Sequence, residues 1–385
     1  MQFAKLIARN ALRHKLRTGL TVLGLLIALL SFGLLQTVVG AWYAGANAAA
    51  PDRLVTRNAI SLVFPMPPHY REKIRAVEGV KSVGAANWFG GIYQDPKKFF
   101  PQFAIDAAPY FAMYPEYRLD ESDKRAFLRD RAGAVVGRKL ADTYGFRVGD
   151  TLPLRGTIFP GDWTFTVRAI YDGAETRTDT SQMFFHWDYL NETMKRRVPR
   201  RANQVGVFVV QIADPARSAE VSQAIDAQFR NSLAETLTET EKAFQLGFVA
   251  MTEAIVVGIR VVSFVVIFII LAVMANTMAM TARERLPEYA TLKALGFAPG
   301  YVAALVFGES LAIAAVGAAL GIGLTFPVAA WFGTQTGTLF PALEVSPATV
   351  AMQLGCALAV GIAAAVLPGR RAARVRIVEG LRAIG

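Results

Sequence analysis

The sequence predicts a membrane α-helical protein with four transmembrane helices and a mixed α/β extracytoplasmic domain inserted between the first and second spans. Hydrophobic residues make up 53% of the 385 residues and charged residues only 18%, a low charged fraction for a soluble protein. Four apolar runs reach the roughly 20 residues that a helix needs to cross a bilayer. Between the first two runs lie 24 of the 30 acidic residues, so one large polar domain separates them.

The four runs divide the chain into nine predicted segments. Ser346 and Pro347 supply a capping hydroxyl and a first-turn proline for the fourth span, and Pro368-Gly369 is expected to end it. The segments are a cytoplasmic amphipathic helix (1–19), a transmembrane helix (20–40), an extracytoplasmic α/β domain with stalk (41–250), a transmembrane helix (251–280), a cytoplasmic coupling loop (281–300), a transmembrane helix (301–326), an extracytoplasmic loop (327–348), a transmembrane helix (349–367) and a cytoplasmic basic tail (368–385).

Lys and Arg residues predict the orientation. They precede the first run, lie between the second and third, and follow the fourth, whereas the loop 327–348 contains none. Because basic flanks favour the cytoplasmic side, we expect both termini to be cytoplasmic and the 41–250 domain to lie outside. The excess positive charge sits at membrane borders, which favours anionic lipids rather than nucleic acid as its partner.

The residues before the first run are patterned. Lys5, Arg9, Arg13 and Arg17 recur every four residues with apolar residues on the opposite side, which predicts an amphipathic helix on the inner membrane surface. The alternative is a cleaved signal peptide, for which residues 46–48 offer small side chains. The apolar run of about 20 residues is longer than the 7–15 residues typical of a signal.

The inserted domain combines helix and strand patterns. The run 205–212 is apolar on both faces and predicts a central, covered strand. Residues 235–247 are expected to be helical and to continue into the second span as a stalk, with Glu239 and Glu241 on solvated surface. The other predicted elements are a helix over 70–78 that stops at Gly79, strands over 80–83 and 163–167, a further α/β unit that begins at 135, and a helix over 215–229.

No pattern in the chain indicates catalysis or metal binding. There is no nucleophile elbow, no His-x-x-x-His and no Cys-x-x-Cys, and the single cysteine, Cys356, lies in an apolar run. A membrane-anchored enzyme is therefore the least favoured class of protein. Because no Gly-x-x-x-x-Gly-Lys-Ser/Thr occurs, ATP binding by that route requires a separate subunit.

The loop 281–300 carries a dense mixture of charges and a short helical pattern. Leu292 and Leu295 lie on this helix, and Gly296 is its predicted C-terminal stop. The alternative is a simple connector, which does not require this density of charge. The candidate residues for coupling to a soluble motor are Arg283, Glu284, Arg285, Glu288, Leu292, Lys293, Leu295 and Gly296.

Two charged residues lie inside the apolar runs. Glu309 is costly in a membrane and is expected to face another helix or a water-filled gap. Arg260 is a candidate counter-charge, but it lies near the opposite end of its span, so we expect it to extend toward the membrane surface instead. Gly317 and Gly321 have the small-xxx-small spacing that permits close helix contact.

Taken together, these features resemble those of the permeases of the MacB-type ABC transporter superfamily, which includes the lipoprotein-release permeases and the FtsX-type proteins. The resemblance covers nearly the whole chain, and the family usually has glycine where Ala290 stands. It is carried by the leader 10–18, the segments 80–83 and 136–167, the loop 284–296, Glu309 and the ending 368–382.

The resemblance implies a permease in a bacterial inner membrane. An ABC-type ATPase would dock on the loop and bind ATP, the permease would form a homodimer or pseudo-dimer, and a periplasmic adaptor protein is a possible partner. Motion of the outer domains would then drive export or extraction of a hydrophobic or periplasmic substrate by mechanotransmission. The alternative is an FtsX-like regulator of a cell-wall hydrolase with no transported substrate. The outer domain of that branch is generally shorter than the roughly 210 residues here.

Overall fold

The computed structural model describes residues 13–175, 178–335 and 343–376, which divide into two units. The membrane unit contains the described parts of 1–40, 253–335 and 343–385, and the α/β unit contains Ala41–Thr252. The helices are α1 (Lys15–Trp42), α2 (Ala44–Ala48), α3 (Tyr70–Arg75), α4 (Ala107–Met113), α5 (Glu121–Arg129), α6 (Arg138–Tyr144), α7 (Trp187–Arg197), α8 (Ser218–Gln228), α9 (Glu241–Met251), α10 (Glu253–Glu284), α11 (Leu286–Ala294), α12 (Pro299–Gln335) and α13 (Pro347–Arg374).

The α/β unit contains a ten-stranded sheet. The strands are β1 (Arg53–Asn58), β2 (Val80–Trp88), β3 (Gln102–Ile105), β4 (Tyr117–Arg118), β5 (Gly133–Gly137), β6 (Thr151–Gly156), β7 (Gly161–Gly173), β8 (Met183–His186), β9 (Val207–Ile212) and β10 (Thr236–Thr240). Their order in the sheet is β10-β1-β9-β2-β3-β8-β5-β7-β4, with β6 paired to β7.

Within the described residues, four helices are long and apolar enough to cross a membrane: α1, α10, α12 and α13. All four extend beyond their predicted C-terminal ends, α12 and α13 by the most residues. The α12 helix passes through Pro327 to Gln335, and α13 passes through Pro368 to Arg374, so the expectation that Pro368-Gly369 ends the fourth span is wrong. Proline is tolerated inside membrane helices because neighbouring groups satisfy the backbone atoms that it frees.

The predicted amphipathic leader lies largely outside the described residues, which begin at Arg13. From Lys15 onward the chain is helical and continuous with the first span. The basic tail beyond Arg376 is also outside the described residues.

Small and polar residues hold the spans of the membrane unit together. A Cβ atom at Gly321 of α12 would lie 3.0 Å from the Leu26 carbonyl oxygen, so α12 approaches α1 closely at this glycine. Gln353 of α13 is fully buried and donates from Nε2 to the Leu29 carbonyl at 2.8 Å and to Thr325 Oγ1 at 2.9 Å. These hydrogen bonds connect α1, α12 and α13 inside the bundle.

The sheet has two halves, each with a core of its own, and a third apolar cluster packs residues of both halves together, among them Val209 of β9 and Phe184 of β8. The first half consists of β10, β1, β9 and β2 and packs against α3 and α8. The second half consists of β3, β8, β5, β7, β4 and β6 and encloses an aromatic core around Trp163 and Phe165. The β9 strand lies between β1 and β2, as the apolar pattern of 205–212 predicts. Among the strands that the structure describes, only β3–β8 and β5–β7 pair in parallel.

The predicted helical stalk over 235–247 is wrong in its first part. Residues 236–240 form β10, which pairs antiparallel with β1, and the helix begins only at Glu241. The alternating, Thr-rich sequence of 236–240 favours a strand. The expectation of solvated surface is also wrong for Glu241, which is 6% exposed.

Candidate functional site

The candidate site is the short helix α11 between the second and third spans. Pro287 lies in its first turn, where proline is tolerated. At its end Gly296 adopts a φ of 92°, its N–H donates to the Lys293 carbonyl at 3.0 Å, and the Phe297 N–H donates to the Leu292 carbonyl at 3.1 Å. This pair of bonds is a Schellman motif, which explains why the sequence requires glycine at this position.

The inner side of α11 is tied to α12 by a buried ion pair. Arg285 Nη1 donates to Glu309 Oε2 at 2.8 Å, and Arg285 Nε donates to Glu288 Oε2 at 2.9 Å. The Arg285 guanidinium also lies 5.4 Å from the centre of the Tyr289 ring. Burial raises the pKa of Tyr289 to about 12, so its phenol stays neutral beside this charge.

The N-terminal end of α1 and the segment that leads to it supply a second set of contacts. Arg13 pairs with Glu288, and Arg17 makes two hydrogen bonds of 2.8 Å to Glu284. Burial alone would raise the pKa of Glu288, but the hydrogen bonds from Arg285 and Arg13 outweigh it and hold that pKa below its ordinary value. Arg13 thus bonds α11 to the segment that leads into α1, and Arg17 bonds α1 itself to the end of α10.

Lys293 makes a third connection. Its Nζ donates to the carbonyl oxygens of Ala373 at 2.6 Å and Val375 at 2.8 Å, at the C-terminal end of α13. A cation there satisfies carbonyls that lack helical partners and interacts favourably with the helix dipole. As a result, α11 and the residue before it are bonded to α12, to α13 and to the segment that leads into α1.

The turn that follows α11 presents apolar surface. Leu295 is 72% exposed and Phe297 is 41% exposed, whereas Tyr289 and Ala290 are buried. The methyl group of Ala290, in place of the family's usual glycine, thus faces the bundle and not this surface. The turn therefore offers an apolar contact area next to a helix that hydrogen bonds and ion pairs hold against the rest of the membrane unit.

The structure separates the predicted coupling residues into two groups. Arg285, Glu288, Leu292 and Lys293 face the membrane unit and hold α11 in place. Arg283, Leu295 and Gly296 are exposed, and Glu284 is exposed but bonded to Arg17.

Of the two predicted intramembrane charges, Glu309 is buried against Arg285, while Arg260 is exposed on α10. Sequence reasoning assigned Arg285 to motor contact and missed its role as the partner of Glu309. The available signal was topological, because Arg285 immediately follows the second span and Glu309 lies early in the third.

A cleft in the α/β unit is lined by several ionisable groups. It measures about 280 Å³ and is lined by Arg71, Asp106, His186 and Asp188, among others. Arg71 Nη1 lies 2.7 Å from Asp106 Oδ2, yet this buried oxygen accepts no hydrogen bond of good geometry. Across 13–175, 178–335 and 343–376, no group of His, Cys, Asp and Glu is arranged to hold a metal ion.

Four apolar helices, a large α/β unit inserted after the first, and a short helix fastened between the second and third define a multi-pass membrane protein of the permease type. Residues 18–228, more than half of the chain, match the family described as MacB-like periplasmic core domain, and residues 260–377 match FtsX-like permease C-terminal. The chain therefore belongs to the MacB/FtsX-like ABC transporter permease superfamily.

An uncharacterized ABC transporter permease protein of Mycobacterium tuberculosis is 25% identical over 207 residues. The match covers 51% of this chain and 22% of that protein, so the chain spans about a fifth of this relative's length. Two solved structures are similar to about half of the chain. They are the extracellular domain of the noncanonic ABC-type transporter YknZ from Gram-positive bacteria (11% identity, 49% of this chain, 98% of that chain, TM-score 0.36) and the periplasmic region of MacB from Actinobacillus actinomycetemcomitans (7% identity, 52% and 94%, TM-score 0.37).

Proposed function

We propose that this chain is the permease subunit of an ABC transporter and that a separate subunit supplies the ATPase activity. A separate ATPase subunit docks on the exposed turn at Leu295 and Phe297, and ATP hydrolysis there moves the spans. The α/β unit follows this motion outside the membrane and drives export or extraction of a hydrophobic or periplasmic substrate by mechanotransmission. Both termini and α11 then lie in the cytoplasm of a bacterium, and the membrane is the inner one.

The observation that carries this proposal is the set of hydrogen bonds and ion pairs that hold α11 in place. Arg285, Glu288 and Lys293 bond α11 and the residue before it to α12, to α13 and to the segment that leads into α1. The turn after the helix exposes apolar residues. A connector that only reverses the chain needs neither feature. A helix that receives force needs both, because a loosely held helix would move without moving the spans.

The test is co-purification of an ATPase with the full-length, affinity-tagged chain from its native host, followed by measurement of ATP hydrolysis. We expect an ABC-type ATPase to accompany the wild-type chain and to be lost from a Leu295→Glu/Phe297→Glu variant. Leu233→Glu is the matched control, since Leu233 is a fully exposed leucine of the α/β unit. ATP hydrolysis by the chain without any companion, or retention of the ATPase by the double variant, would contradict the proposal.

A further inference from the structure

A buried cluster of charges lies where the chain enters and leaves the α/β unit. Arg53, the first residue of β1, is 2% exposed. Its Nε donates to Glu241 Oε2 and its Nη2 to Glu116 Oε1, each at 2.6 Å, and its Nη1 donates to the Met113 carbonyl at 3.0 Å. We call Arg53, Tyr114, Glu116 and Glu241 the Arg53 cluster.

The tyrosine of this cluster, Tyr114, completes the hydrogen bonding of the Glu241 carboxylate. The Tyr114 hydroxyl donates to Glu241 Oε1 at 2.9 Å, and its ring centre lies 4.1 Å from the guanidinium carbon of Arg53. Burial raises the pKa of Tyr114 well above its ordinary value, so the phenol remains a neutral donor. Both oxygens of the Glu241 carboxylate are thus satisfied within the protein.

The cluster joins the two segments of the α/β unit that lead to the spans. Arg53 begins β1, and Glu241 begins α9, which ends directly before the span α10. The two segments are adjacent, since Leu54 pairs with Thr240 in the sheet. A charged hydrogen bond therefore holds the start of α9 to the start of β1.

The third member of the cluster leads into the second half of the sheet. Glu116 directly precedes β4, where Tyr117 pairs with Gly173 of β7. The Tyr117 ring stacks on Tyr114 at 5.4 Å and contacts Tyr171 of β7 at 4.9 Å. Through Glu116 and these rings, Arg53 connects α9 to a part of the sheet that β10 and β1 do not touch.

Stability alone does not explain why this connection is ionic. A buried ion pair often stabilises a protein no more than apolar residues of similar size, because desolvation of the charges is costly. A guanidinium differs from an apolar group in that its fixed fork of donors holds several partners in one geometry. Arg53 uses that fork on two segments that are distant in sequence, residues 113–116 and the start of α9.

We propose that Arg53 is a positioning residue that makes the second half of the sheet follow α9 when α9 moves. The inference rests on the proposed mechanotransmission, for which it names the joint inside the outer domain. The β2–β3 pairing and a shared apolar cluster also connect the two halves. The Arg53 joint adds directional bonds to these connections, which apolar packing does not supply.

The test uses the full-length chain with its ATPase in lipid nanodiscs, in a Cys356→Ser background. Two spin-label pairs are measured by electron–electron double resonance, without nucleotide and with ATP plus vanadate. The pair Trp331→Cys/Asp142→Cys reports motion of the second half of the sheet relative to the membrane unit. The pair Lys242→Cys/Asp142→Cys reports whether that half stays fixed to α9.

In the wild-type chain we expect ATP to shift the first distance and to leave the second unchanged. In an Arg53→Met/Glu241→Met variant the first shift should be lost and the second distance should change with ATP. Apolar replacement of both partners avoids an unpaired buried charge, and a thermal unfolding midpoint near the wild-type value would show that the fold is kept. Arg53→Lys retains the charge but lacks the planar fork of donors. This variant replaces the double variant if that one does not fold, and it should also lose the first shift.

Arg138→Met is the matched control, because it breaks an exposed arginine–aspartate pair in the same half of the sheet. It should behave as wild type. If a folded Arg53→Met/Glu241→Met or Arg53→Lys chain keeps the wild-type response of both pairs, the inference is wrong. A wild-type chain whose first distance does not respond to ATP would instead overturn the proposed function, and the inference with it.

Discussion

Arg285 and Glu309 form an ion pair inside the membrane unit, with 2.8 Å between Nη1 and Oε2 and side chains that are 8% and 6% exposed. One partner immediately precedes α11 and the other lies in the third span. A charged residue inside a membrane bundle is expensive unless it is paired. The pair therefore fixes where α11 lies against α12 and makes that position costly to leave.

The first prediction concerns removal of one member of this pair. Arg285→Met leaves the Glu309 carboxylate buried without its partner, so the free energy of unfolding should fall by about 3–5 kcal/mol. The measurement is unfolding of the full chain in mixed micelles by titration with SDS, followed by circular dichroism.

Two further variants test the cause of that loss. Arg285→Met/Glu309→Leu should recover most of the stability, because no unpaired charge remains. Arg283→Met, at an exposed position two residues away, should lie within about 0.5 kcal/mol of wild type. Equal losses in the single and double variants would show that the pair does not control this contact.

The second prediction concerns the close approach of α12 to α1. A Cβ atom at Gly321 would lie 3.0 Å from both the Leu26 carbonyl oxygen and Leu29 Cβ, whereas at Gly323 nothing lies within 4 Å. Gly321→Val should therefore destabilise the membrane unit by about 1–3 kcal/mol, as overpacking does. Gly323→Val has the same chemistry on the same helix and should have less effect in the same SDS titration. Similar losses in both variants would contradict the close contact.

The third prediction concerns pH. Burial raises the pKa of Asp106 despite the nearby charge of Arg71. Its protonated form thus stabilises the fold below the ordinary pKa of about 3.9, and that stability is lost as the pH rises through the raised folded-state value. Asp106→Asn does not titrate, so its unfolding midpoint relative to wild type should increase between about pH 4 and about pH 7.

Asp172 is the matched control for this experiment because its shift has the opposite sign. A hydrogen bond from Arg138 lowers the pKa of Asp172, so that residue stabilises the fold above its unfolded-state pKa and loses this effect as the pH falls. The midpoint of Asp172→Asn relative to wild type should therefore decrease as the pH rises. The same trend in both variants would contradict the assignment for Asp106.

The four spans and the inserted domain could be predicted because apolar length and charge are local properties of the sequence. The end of α11 was predictable for a similar reason, since only glycine readily adopts the φ of 92° observed at Gly296. The ends of α12 and α13 were not. Proline usually ends a helix, but inside a membrane the cost of freed backbone groups is met by neighbouring spans, which a linear reading does not include.

The Arg53 cluster shows a second limit of sequence reasoning. Arg53 and Glu241 are 188 positions apart, and Glu241 follows a polar run that reads as solvated surface. Only the pairing of β1 with β10 brings the two side chains together. Long-range pairing of this kind depends on the order of strands in the sheet, which no local pattern encodes.

The most direct test of the proposed coupling is photocrosslinking at α11 in living cells. A benzoylphenylalanine residue is placed at Leu295 of the full-length chain in its native host, and after irradiation the crosslinked partner is identified by mass spectrometry. Leu233, exposed in the α/β unit, is the matched position. We predict that position 295 crosslinks to an ABC-type ATPase and that position 233 does not. A folded, membrane-inserted chain that captures no ATPase at position 295 would contradict the proposal that a motor docks on α11.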